Sequence, residues 1–127
     1  MSDIIWTRYA NFDREEFICS HCGEEGITEG LVAKLQQLRG LYGKPIHITS
    51  GYRCPDHPIE REKPQPGTHA MGIACDIDVN RSDAYHLLKL AFDLGFQGIG
   101  VQQKGQGRFI HLDLGGHGLI RPTIWSY

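Results

Sequence analysis

Leu31, Leu35, Leu38 and Leu41 recur at helical spacing in EGLVAKLQQLRGLYG, which predicts an amphipathic helix that Gly43 stops. In KPIHITSGYR, Ile46 and Ile48 alternate with His47 and Thr49, the period of a strand, and the run ends in the Ser50-Gly51 turn. A surface loop is expected next. Pro58, Pro64 and Pro66 in HPIEREKPQPG (57–67) each remove a backbone donor and bias the preceding residue out of helix. GIACDIDVN reads as a second strand, and RSDAYHLLKLAFDLGF as a second helix with Ser82 as N-cap and Gly95 as stop. GIGVQQ and RFIHLDL read as two more strands, joined through KGQG as a hairpin. The order of helix, strand, loop, strand, helix and hairpin predicts an α+β fold. Its helices should pack on one face of a small antiparallel or mixed sheet.

Length and charge narrow the picture. At 127 residues the chain is expected to be a single domain, 1–127. A net charge of -2, with thirteen scattered Lys and Arg, argues against nucleic-acid binding, which needs a basic patch. No apolar run approaches the roughly 18 residues of a membrane span. The opening MSDIIWTRYANFDREEF lacks the basic and apolar regions of a secretory signal, so the expectation is a chain that stays where it is made unless something carries it out.

Strand parity brings the chemistry together. In RFIHLDL, Ile110, Leu112 and Leu114 point one way, and Phe109, His111 and Asp113 the other. In GIACDIDV, Ile73, Cys75, Ile77 and Val79 share one face and Asp76 and Asp78 the opposite one. If these strands are neighbours, Asp76 and His111 enter one cleft, within reach of His69 at the end of the loop. Two imidazoles and a carboxylate with an open fourth position form the ligand set of a catalytic zinc. The plainer alternative is a loop imidazole, a strand carboxylate paired to a lysine and a half-buried histidine. His47, His86 and His117 read as ordinary surface histidines.

The motifs SGYR (50–53), THAMGIACD (68–76) and FIHLD (109–113), with the tail RPTIWSY, resemble the zinc D-Ala-D-Ala carboxypeptidase family. That family shares its fold with the L-alanyl-D-glutamate endolysins and the hedgehog signalling domain. The likeness runs from NFDREEFICSHCG onward, covering nearly the whole chain. It implies a hedgehog/DD-peptidase-like fold and Zn2+ bound by His69, Asp76 and His111. It also implies hydrolysis of a peptide bond next to D-amino acids in the peptidoglycan stem peptide. Arg53 is then the natural cation for an oxyanion or substrate carboxylate, with Ser50 and Tyr52 beside it in the substrate site. Gly72 and Ala74 are expected to be small because the chain passes close to the metal, although a plain turn glycine is the alternative.

One departure stands out. Many relatives carry an acidic residue three positions before the last ligand, or a histidine two before it; here those positions hold Arg108 and Phe109. Asp113 is the nearest carboxylate on the face of His111, as general base or as a partner that orients an imidazole. Asp78 and His117 are the reserves. The missing base keeps open a non-enzymatic alternative, a catalytically weak or inactive zinc-containing wall-binding or phage structural module. Delivery by a phage or release by lysis would take the chain to the wall; otherwise it would act in the cytoplasm.

The cysteines pose a separate question. CSHCG (19–23) is half of a zinc knuckle, and CPDH (54–57) supplies a second half. Cys19, Cys22, Cys54 and His57 are therefore candidate ligands of a structural zinc, against a disulfide involving Cys54 or free thiols. Cys75 reads as a small core residue.

Overall fold

A computed structural model describes residues 4–127. After two short 3-10 turns, Trp6–Arg8 and Arg14–Glu16, the chain forms α1 (Glu29–Tyr42), β1 (His47–Ser50) and β2 (Ala74–Asp78). It continues through α2 (Arg81–Asp93), β3 (Gly98–Gln102), β4 (Phe109–Asp113) and β5 (Thr123–Ser126). The strands make one mixed sheet in the order β1-β2-β4-β3-β5. The first three neighbouring pairs are antiparallel, and β5 runs parallel to β3 at the edge.

Local chemistry sets the helix limits. Thr28 accepts the N–H of Leu31 at 3.4 Å, and Gly43 takes φ 74° to close the last turn of α1 onto Arg39. Leu31, Val32, Leu35 and Leu38 are buried, but Leu41 is 60% exposed. The expected leucine stripe therefore stops one turn early, because at 100° per residue Leu41 falls off the face that Leu31 and Leu38 share. α2 starts at Arg81 with Asn80 as the extended N-cap residue, not at the expected Ser82. Asn80 makes no side-chain capping bond, and Asp83 supplies negative charge in the first turn.

The core lies between the helices and one face of the sheet. Cys75 and Ile77 of β2, Ile99 of β3, and Ile110 and Leu112 of β4 meet Leu31, Leu35, Leu38, Leu87 and Ala91. Phe12 and Phe17 of the N-terminal segment join the same cluster. Leu35, Leu87 and Leu112 are fully buried, each worth about 1.5–3 kcal/mol of transfer free energy.

The other sheet face is shaped by what β3 lacks. A Cβ on Gly98 would lie 2.1 Å from the Asp113 carboxylate, and one on Gly100 would lie 2.6 Å from Trp125 Nε1. The two glycines leave room for an acid from β4 and an indole from β5. The sequence pattern did not show β5. Its four residues become a strand by pairing with β3, more than twenty positions earlier, with Gly100 opposite Trp125.

Candidate metal centre

Asp76 and His111 are cross-strand partners in the β2–β4 register, so their side chains leave the same sheet face together. His69 reaches them from a tight turn in which the N–H groups of Ala70 and Met71 bond to Gly67 O. One donor atom from each of the three lies within 4.8 Å of the other two. The triad is enclosed: His69 is 5% and His111 4% exposed.

Hydrogen bonds fix both imidazoles. His69 Nδ1 is 2.8 Å from Gly51 O, an oxygen that only accepts, so Nδ1 carries the proton and Nε2 its lone pair. His111 Nε2 is 2.9 Å from Asp113 Oδ2 and donates to it, leaving the lone pair on Nδ1. Both bare nitrogens stand 3.3 Å from Asp76 Oδ1. That oxygen is buried and has no hydrogen-bond partner among the described residues. Three electron pairs thus converge on one small space, an arrangement that a cation satisfies and that is costly to bury without one. The donor set fits zinc with one position left for water or substrate.

The electrostatics agree with this geometry. Burial pushes the Asp76 carboxyl upward, but its contacts with His111 and His69 outweigh that and hold it well below the usual carboxylate range. Burial likewise opposes charging of His111, while Asp113 and Asp76 raise its pKa above the ordinary imidazole value. A proton therefore competes for the place of the metal.

Asp113 lies behind His111 with no exposed surface. Its Oδ1 accepts from Gly115 N at 2.9 Å and Arg121 Nε at 3.1 Å. Its Oδ2 accepts from His111 at 2.9 Å and Arg121 Nη2 at 2.9 Å. Burial alone would raise the Asp113 pKa, but His111 and Arg121 bring it to about 2. Arg121 in turn stacks on Trp125, 5.2 Å from the ring, and Trp125 lies 5.0 Å from the His111 ring.

Arg53 occupies the opposite side. Its Nη2 is 3.5 Å from Asp76 Oδ2, its Nη1 3.4 Å from Glu60 Oε2, and its Nε bonds Ser50 Oγ at 3.2 Å. Glu60 is 4% exposed and also holds Lys63 Nζ and Gly67 N, so the proline-rich loop is pinned to the site through this carboxylate. Ser50, Tyr52 and Arg53 line a depression of about 450 Å³ together with Thr49, Glu15 and Glu16.

The remaining candidates fall outside the triad. Gly72 has φ 76°, and a Cβ there would lie 2.1 Å from Gly26 O; its close approach is to the N-terminal segment. Asp78 is half exposed and sits 3.5 Å from His47, and His117 is an exposed loop residue with φ 55°. The thiols of Cys19, Cys22 and Cys54 form a second cluster, with sulfur atoms within 4.8 Å of one another. His57 stands outside that set, its Nε2 3.4 Å from Ser20 Oγ.

Sequence reasoning missed three contributors. Arg121 and Trp125 belong to a tail with no clear strand period, and only their position beside β3 shows their use. Glu60 is one charge among several in a polar loop, and its burial carries no local signal.

Among curated proteins, none matches the sequence at a significant level. The profile of the Peptidase M15 family matches residues 10–113, a span that holds His69, Asp76 and His111 together with Arg53 and Asp113. With most of its length matched, and with a buried two-histidine, one-aspartate centre inside the match, the chain belongs to the Peptidase M15 family of zinc-dependent metallopeptidases.

Proposed function

We propose that the protein hydrolyses a peptide bond next to D-amino acids in the peptidoglycan stem peptide, on the hedgehog/DD-peptidase-type fold that its motifs resemble. The observation that carries the metallopeptidase part is the convergence of His69 Nε2, His111 Nδ1 and the buried Asp76 Oδ1, which has no hydrogen-bond partner among the described residues. The substrate class rests on the SGYR, THAMGIACD and FIHLD motifs.

Zinc bound there supplies a Lewis acid for the scissile carbonyl and a water whose pKa falls to about 7. Gly51 O and Asp113 hold the two imidazoles in the orientations that turn His69 Nε2 and His111 Nδ1 to the centre. Asp76 turns Oδ1 to the centre and Oδ2 to Arg53. Arg53, with 13% of its side chain exposed, is fixed by Ser50, Glu60 and Asp76 at the rim. From there its guanidinium meets a substrate carboxylate or the developing oxyanion. The Tyr127 hydroxyl lies over Gly100, the register partner of His111, and senses the charges of Asp76 and Arg53.

A second reading has its own observation. Asp113, the nearest carboxylate on the His111 face, has both oxygens engaged by Arg121, Gly115 and His111, which suits positioning rather than proton transfer. A wall-binding or phage structural module that keeps zinc with little turnover fits that fact. Incubating the zinc-loaded chain with muropeptides, with and without chelator, separates the two. Chelator-sensitive cleavage supports the peptidase, and sedimentation with cell-wall sacculi without any cleavage supports the module.

A further inference from the structure

The second cluster lies on the other side of the SGYR turn. Cys19 and Cys54 are buried, Cys22 is exposed, and all three are free thiols. Cys19-Ser-His-Cys22 is a chelating loop closed by Gly23 at φ 73°, with Gly23 N on Cys19 O at 2.7 Å. Two backbone N–H groups already point at the Cys19 sulfur, from His21 at 3.4 Å and from Cys54 at 3.3 Å. Donors aimed at one sulfur stabilise a thiolate. Three sulfurs are also an odd set: one disulfide leaves a thiol over, whereas a single ion takes all three. Two imidazoles flank the cluster, with the His21 and His57 rings 6.1 Å apart.

We propose that Cys19, Cys22 and Cys54 bind a second zinc ion, with an imidazole from His57 or His21 as the fourth ligand. With Zn–S bonds of about 2.3 Å, small side-chain rotations bring sulfurs already within 4.8 Å of one another onto one tetrahedral ion. Four protein ligands make the site closed and structural, in contrast to the open centre at His69, Asp76 and His111. Its position gives it a function. Cys54 directly follows Arg53, and Gly51, whose carbonyl orients His69, packs against Phe17, two residues before Cys19. The ion clasps the N-terminal segment to the turn that positions the hydrolytic centre.

The test is a metal and thiol count on the full chain purified under reducing conditions. Wild type is expected to carry two zinc ions, and the His69→Ala/His111→Ala double variant one, with sulfur neighbours in its X-ray absorption spectrum. Cobalt in that double variant should give thiolate-to-cobalt charge-transfer absorption that Cys22→Ser abolishes. Should the double variant not fold, Cys22→Ser in the otherwise natural chain, at an exposed position, still lowers the count from two to one. Loss of the tetrahedral cobalt spectrum in His57→Ala or in His21→Ala assigns the fourth ligand. A double variant without metal whose three thiols all alkylate freely overturns the proposal, as does a disulfide among them in the purified wild type. Because the double variant lacks the other centre, failure here leaves the peptidase reading standing, and the reverse also holds.

Discussion

Asp113→Asn separates a positioning carboxylate from a proton acceptor. The carboxylate accepts four bonds, from His111 Nε2, Arg121 Nε and Nη2, and Gly115 N, all between 2.9 and 3.1 Å. An asparagine keeps one accepting oxygen, and its NH2 must face donors in either orientation: His111 and Arg121 in one, Gly115 and Arg121 in the other. The conflict at His111 is relieved by moving the ring proton to Nδ1, which blocks the lone pair that faces Asp76. Metal affinity should fall about 10–100-fold, equivalent to about 1.4–2.7 kcal/mol. The Arg121 guanidinium, with 14% of its side chain exposed, also loses its counter-charge. Removing one member of a buried pair costs about 3–5 kcal/mol, and partial exposure places this case at or below the low end. A competition titration against a chromophoric chelator reads the first effect, and thermal unfolding of the metal-free protein reads the second. Excess zinc should restore most turnover. Unchanged metal affinity with turnover lower by about 10²–10⁴-fold would refute the argument and make Asp113 the general base.

Arg53→Lys should keep the metal and lose most turnover, because a point charge cannot span Ser50, Glu60 and Asp76 as the planar fork does; steady-state kinetics at saturating zinc check this. Glu60→Gln should lower stability by about 1.5–3 kcal/mol at neutral pH, the worth of a hydrogen bond to a charged group. Burial opposes the Glu60 charge, but Lys63, Gly67 and Arg53 depress its folded-state pKa, so its stabilisation is present above the ordinary value of about 4.3 and is lost as pH falls through the depressed one. The difference between Glu60→Gln and wild type in chemical denaturation should therefore shrink below about pH 4; a constant difference would remove Glu60 from the account. Gly98→Ala drives a methyl into the Asp113 carboxylate and should cost about 1–3 kcal/mol in thermal unfolding, with weaker metal binding.

The parts of this fold that were legible in the sequence are those with local causes. Alternation in β2 and β4 assigned Asp76 and His111 to one face, and their direct pairing follows once the strands are neighbours. Leucine spacing with Gly43 located α1. What escaped depends on contacts distant in the chain. Thr123–Ser126 becomes a strand only against β3, and Asn80 replaces Ser82 because the extended residue before the first turn, not the nearest hydroxyl, marks the cap. Parity gave the direction of Asp113 but not its partner Arg121, eight residues on and across the end of the sheet. Gly98 and Gly100 carry no mark of the acid and indole that require them.

Titration of zinc into chelator-stripped protein, with occupancy and hydrolysis of a stem peptide ending in D-Ala-D-Ala followed together, tests the central claim most directly. Hydrolysis should rise as the centre at His69, Asp76 and His111 fills, level off when it is full, and stay at background throughout in His69→Ala, which has lost one of three ligands. Hydrolysis that does not depend on zinc, or a His69→Ala protein that cleaves at the wild-type rate, would contradict it.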